Sequence, residues 1–135
     1  MNRVVCLGML VLAAGCVVAP ERAPLRPLPE DSKPLAYGDL VGRARLLASA
    51  GNEAFYINRW SDLEESARGL EQTARFLLKS TEVPAGHKDK LAVEAGDLAR
   101  NSAKLAEAAR AKDVRQANEL LQRINLKVRE LRADN

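Results

Sequence analysis

The chain has 135 residues, room for one small domain and its terminal segments, and carries 21 basic against 18 acidic side chains for a net charge of +3. That excess is too mild, at a pI near 9.1, to call for nucleic acid, and 4% aromatic residues argue against a base-stacking or sugar-binding surface. His87 is the only histidine, no methionine follows Met9, and both cysteines, Cys6 and Cys16, lie near the start.

The first element in chain order is apolar. Arg3 supplies a positive charge, Val4 to Leu12 form an apolar run, and small residues follow, the layout of a secretory signal peptide over 1–15. The run Leu12-Ala13-Ala14-Gly15-Cys16 resembles the lipobox of bacterial lipoproteins, with Ala13 where that family prefers Leu. The resemblance implies cleavage before Cys16, diacylation of its thiol and often acylation of the new amino group. Two or three acyl chains anchor stably, at about 0.8 kcal/mol per buried methylene. Two plainer readings stand beside it: an uncleaved membrane anchor, and a secreted protein with an incidental cysteine. Val4 to Ala19 is 16 residues, short of the roughly 20 that span a bilayer. Val17 is not the Asp that commonly keeps such lipoproteins in the inner membrane, so the resemblance implies an outer-membrane anchor facing the periplasm. Cys6 would leave with the leader and the lipid would consume Cys16, leaving no thiol for a disulfide, a metal or a nucleophile. Loss of Arg3 takes the net charge from +3 to +2.

Residues 16–36 then read as a lipidated N-terminus and a tether. Five of the six prolines fall here: Pro20, Pro24, Pro27, Pro29 and Pro34. Proline removes amide donors and fixes φ, so the segment is expected to act as an extended spacer at about 3.1 Å per residue.

From Tyr37 to Asn135 the apolar period is helical, and no segment alternates as a strand does. Tyr37, Leu40, Val41, Ala44, Leu47, Ala48, Ala54 and Phe55 form the first stripe. Trp60, Leu63, Ala67, Leu70, Ala74 and Leu77 form the second, and Leu91, Ala95, Leu98, Ser102, Leu105 and Ala109 the third. The fourth is Ala117, Leu121, Ile124, Val128 and Leu131, with Leu120 on its flank. Ser61 with Glu64 has capping-box spacing, and Asp113 with Gln116 an acidic version of it. Pro84 suits a first helical turn. Short breaks near Asn58, Ser80 to Val83 and Ala111 to Lys112 predict antiparallel neighbours, hence an all-α, up-down-up-down four-helix bundle over 37–135.

The last helix, Asp113 to Arg132, resembles that of cytochrome c′-type bundles, which end in Cys-x-x-Cys-His followed by an aromatic or Leu and a basic residue. Leu131-Arg132 matches that ending, whereas the two cysteines fall at Ile124 and Lys127 and the haem-ligating histidine at Val128. Covalent haem needs those groups, and noncovalent haem needs axial ligands that the chain after Met9 lacks as a Met/His pair. The resemblance thus implies the scaffold without a cofactor.

Candidate chemistry is sparse. His87, beside the third stripe, could hold a metal only with help from Glu82 or Asp89, and reads better as a half-exposed helix-end residue. The pairs Glu64/Glu65 and Glu94/Asp97 lie among Arg and Lys at helical spacing and read as solvated faces rather than acid–base partners. No Glu-x-x-His pair, phosphate-binding Gly loop or Gly-x-Ser-x-Gly elbow occurs, and no enzyme or cofactor is expected. Arg110 to Arg132 carries seven basic and three acidic residues; Arg115, Arg123 and Arg129 are its candidate contacts to an acidic surface, against a plain solvated face. Leu46, Phe76 and Leu126 fall off the stripes and form a candidate apolar surface for a homodimer or an envelope protein partner. The expected role is a lipid-anchored structural or interaction module, membrane-bound through Cys16 and with no nucleic-acid partner. The alternative is a small-ligand or metal-stress binding protein with a pocket between helices, for which Thr73 and Ser102 are the polar candidates.

Overall fold

Apolar residues spaced three and four apart give each long segment one face that only another such face can cover, and the chain folds accordingly. The computed structural model describes residues 25–132. Its elements are α1 (Tyr37–Tyr56), α2 (Trp60–Leu77), the single turn α3 (Ala85–Lys88), α4 (Leu91–Ala111) and α5 (Val114–Glu130). No strand occurs among the described residues; one isolated parallel bridge joins Ala36 to Thr81. α2 packs on α1 and α4, and α5 packs on α4 and α1.

The four apolar stripes are the core. Leu40, Leu63, Leu70, Leu98, Leu105, Ile124 and Leu131 are fully buried, with alanines such as Ala44, Ala67, Ala109 and Ala117 between them. Small residues set the spacing. A Cβ placed on Gly69 of α2 would come within 2.9 Å of Leu47 Cδ2 on α1, so a side chain here would require the end of Leu47 to move. Phe55, Trp60 and Leu91, at helix ends, are half-buried against the core.

The turns fall at the expected breaks. Asn58, Glu82 and Lys112 take positive φ of 57°, 58° and 51°, reversing the chain within a few residues. Lys112 occupies the left-handed C-cap of α4 and donates its amide to Ala109 O at 3.1 Å. Asp113 then caps α5, its Oδ1 accepting from the Gln116 amide at 2.9 Å. Ser61 and Glu64 form no such box. α2 begins two residues earlier, with Arg59 at the N-cap, and Glu64 pairs with Arg68 and Arg110 instead. Pro84 precedes α3 as its N-cap, and the expected third helix is split between α3 and α4 by Asp89 and Lys90.

Two expectations are corrected together. The proline-rich stretch is not a free spacer along its whole length, because Leu28 exchanges hydrogen bonds with the Gln72 side chain, at 2.9 Å and 2.8 Å. Glu30 lies 3.7 Å from Arg75, and the Leu35 carbonyl and Tyr37 amide bond to Thr81. Phe76, expected at an exposed contact surface, is instead buried at 7% and belongs to the core cluster. It sits one turn beyond Gln72 on the same flank of α2, where this segment returns with Leu28 and Leu35 packed against the core. A helix-by-helix reading of spacing does not see where chain outside the helices returns to the core, as Leu28 and Leu35 do.

Phe76→Ala is expected to cost about 3 kcal/mol, whereas Leu46→Ala and Leu126→Ala stay within about 0.5 kcal/mol; urea unfolding midpoints compare the three. Lys112→Gly, which relieves the left-handed strain, should raise stability by up to about 1 kcal/mol in the same assay.

Candidate functional site

Cys16 and the apolar run before it lie outside the described residues. The other candidates are spread over the surface of the helices. Leu46 and Leu126 are exposed at 49% and 52%, on α1 and α5. With Phe76 buried they are two single leucines on separate helices, ordinary for a surface. Arg115, Arg123 and Arg129 are all exposed on α5. At about 100° per residue, Arg123 is turned roughly 80° from Arg115 and roughly 120° from Arg129. Helical geometry thus separates Arg123 from the other two.

The carboxylates resolve into ion pairs rather than a reactive dyad. Glu64 Oε1 lies 2.6 Å from Arg68 and 3.2 Å from Arg110, Glu65 is exposed, and Asp97 pairs with Arg100. Lys127 bonds Glu130 at 2.8 Å and lies 3.8 Å from Asp97; the Glu130 hydrogen bond raises the pKa of its ammonium above the ordinary value. Among the described residues no group of three or more His, Cys, Asp or Glu side chains could hold a metal, and no helix is long and apolar enough to cross a membrane.

His87 finds partners other than Glu82 and Asp89. Its Nδ1 lies 3.1 Å from Glu94 Oε2, one turn into α4, with both side chains largely shielded. Its ring is 5.5 Å, centroid to centroid, from that of Tyr37 at the start of α1. The Tyr37 hydroxyl donates to the Leu131 carbonyl at the end of α5. One histidine, one tyrosine and one carboxylate therefore tie α3, α4, α1 and α5 together. Burial first, and the nearby Glu94 carboxylate second, push the Tyr37 phenol up to about 12. This is a structural knot whose groups already satisfy one another.

Neither of the two clefts that stand out among the described residues is lined by Thr73 or Ser102. Thr73 is buried and its hydroxyl donates to the Gly69 carbonyl at 2.8 Å within its own helix. Ser102 Oγ is buried without a protein partner. The two clefts that stand out lie on the outside. One, about 410 Å³, is lined by Leu78, Ser80, Glu82, Val83, Lys88 and Leu91 beside the α2–α3 connection. The other, about 360 Å³, runs between α1 and α5. On its α1 wall stand Arg45, Ser49 and Asn52, and on its α5 wall Asn125, Arg129 and Arg132. Asn52 and Asn125 clasp each other across its floor by two amide hydrogen bonds of 3.1 Å and 3.2 Å. Of the polar residues of this groove, Arg129 is the one that the charge of the last helix singles out, while Ala48 and Val128 beside it belong to the apolar stripes. Arg45, four residues before Ser49 and seven before Asn52, carries a matching signal on α1 that becomes meaningful only once α1 and α5 are neighbours.

Comparison with known families, curated proteins and solved structures gives no match. Function must therefore be argued from the residues.

Tyr37 provides a test of the knot. The folded state holds the phenol proton more tightly than the unfolded chain, so its contribution is intact below pH 10 and is lost as pH climbs from 10 through 12. Denaturant unfolding across that window should show falling stability, with a shallower fall in Tyr37→Phe. At neutral pH, Tyr37→Phe should cost about 1 kcal/mol through the bond to Leu131.

Proposed function

We propose that the protein is a lipid-anchored, non-enzymatic component of a bacterial cell envelope, whose domain is an antiparallel up-down-up-down four-helix bundle acting as a structural or interaction module. The observation that carries the anchoring is the apolar run closing on Ala13-Ala14-Gly15-Cys16, with Arg3 before it. Val17 after the cysteine favours the outer membrane over the inner. The antiparallel topology is supported by connections of two or three residues between α1 and α2 and between α4 and α5. Further support comes from the Tyr37 bond to Leu131 and the Glu64 pair with Arg110, each joining the start of one helix to the end of another.

A role outside catalysis is supported by carboxylates engaged in ion pairs, a histidine engaged with Glu94, and an interior filled by leucine and alanine. The same filling weighs against a ligand pocket between helices, since among the described residues Ser102 alone offers a buried, unpartnered hydroxyl there. Kinship with cytochrome c′ bundles stays part of the proposal. Ile124 and Val128, at two of the positions that would serve haem, are core residues.

Cys16→Ser tests the anchor. In a bacterial host, the wild-type chain should take up labelled fatty acid and sediment with membranes, while the variant should lose the label and become soluble. A variant that stays with the membranes would overturn the lipid anchor.

A further inference from the structure

The α1–α5 groove gathers cations without supplying anions. Arg45, Arg129 and Arg132 line it, and no carboxylate does. Among the described residues none of the three belongs to an ion pair, although Arg59, Arg68, Arg75, Arg100, Arg110 and Lys127 all do. The partial negative charge at the end of α5 accounts for cations at Arg129, on its last turn, and at Arg132, just past its C-cap. It does not explain why Arg45, in the middle of α1, is aligned with them.

Register supplies the reason. Arg45, Ser49 and Asn52 stand at i, i+4 and i+7 on α1, and Asn125, Arg129 and Arg132 at i, i+4 and i+7 on α5. Both walls therefore present one side chain per turn to the same trough. The Asn52–Asn125 clasp fixes the two walls and leaves each amide one N–H to donate. Three guanidinium forks, the Ser49 hydroxyl and those amides make a donor-rich trough with few acceptors. Planar forks match the oxygens of a phosphate group, which can be held by paired N–H···O bonds. The trough, about 360 Å³ and open to solvent, suits a headgroup-sized ligand rather than a large substrate.

We propose that this groove binds a phosphate group through Arg45, Arg129 and Arg132, with Ser49 and the Asn52–Asn125 amides completing the contacts. The phosphate is that of an anionic lipid headgroup or of a small soluble phosphate. The lipid source rests on the membrane-anchored reading, and the phosphate chemistry does not.

The test uses the full chain and two double variants that remove equal charge, Arg45→Gln/Arg129→Gln in the groove and Arg115→Gln/Arg123→Gln outside it. All four positions are exposed, so both variants should fold. In one arm, inorganic phosphate is titrated against chloride at matched ionic strength and read by NMR at the arginine side-chain N–H groups. In the other, binding to vesicles of phosphatidylcholine alone is compared with vesicles that also contain phosphatidylglycerol. Saturable phosphate shifts that the groove variant loses assign a soluble phosphate. A phosphatidylglycerol preference that falls about tenfold in the groove variant, and much less in the outer variant, assigns a lipid headgroup. Neither saturable shifts nor a lipid preference, or equal losses in both variants, would overturn the site. Weak binding to phosphatidylcholine alone would count against the anchor and leave the comparison between lipids readable.

Discussion

Each long helix among the described residues has a single apolar face, and those faces are covered chiefly by one another. Burial of Leu40, Leu63, Leu70, Leu98, Leu105 and Ile124 against one another is the dominant favourable term. It is modest per residue, because much of the seam is alanine. What alanine gives up in buried area it returns in close approach, because dispersion attraction is short-ranged and rewards backbones brought into contact. The Gly69–Leu47 contact is the extreme case, where even a methyl group has no room unless Leu47 shifts.

Polar groups complete this scheme at its ends and edges. Tyr37, His87 and Glu94 close one region, where three helices and a single turn converge and main-chain groups would otherwise lack partners. Along α2, Gln72 gives both its carbonyl and its amide to Leu28, satisfying backbone of an extended segment that has no sheet to join. The α1–α5 edge differs from these. Its amide clasp is satisfied, whereas the arginines above it have no protein acceptor among the described residues.

Helical periodicity made the core legible residue by residue. The stripe members are buried except for Phe55, Trp60 and Leu91 at helix ends, and the reversals fall where Asn58, Glu82 and Lys112 turn left-handed. The spacing could not assign Phe76, which lies off the apolar stripe of α2 yet joins the core cluster, one turn beyond the Gln72 that Leu28 binds. Ser61 misled for a related reason: a capping signal competes with whatever else its partner can bind, and Glu64 has two arginines within reach. The groove was half legible. Arg129 stood out by charge density on one helix, while Arg45 and Arg132 acquire meaning only from which helices become neighbours, a property of the tertiary fold.

The docking of Leu28 on Gln72 also sets how the domain would bear a load. Tension applied to the chain from its N-terminal side would reach the helices first through the bond that Arg43 of α1 donates to the Arg26 carbonyl, then through the two hydrogen bonds between Leu28 and Gln72 on α2, with the Glu30–Arg75 pair beside them. Only after those yield does tension pass to the Leu35 and Tyr37 bonds with Thr81, and only then to the first turn of α1. On this order of contacts the extended segment would lengthen under tension before the packed helices changed shape.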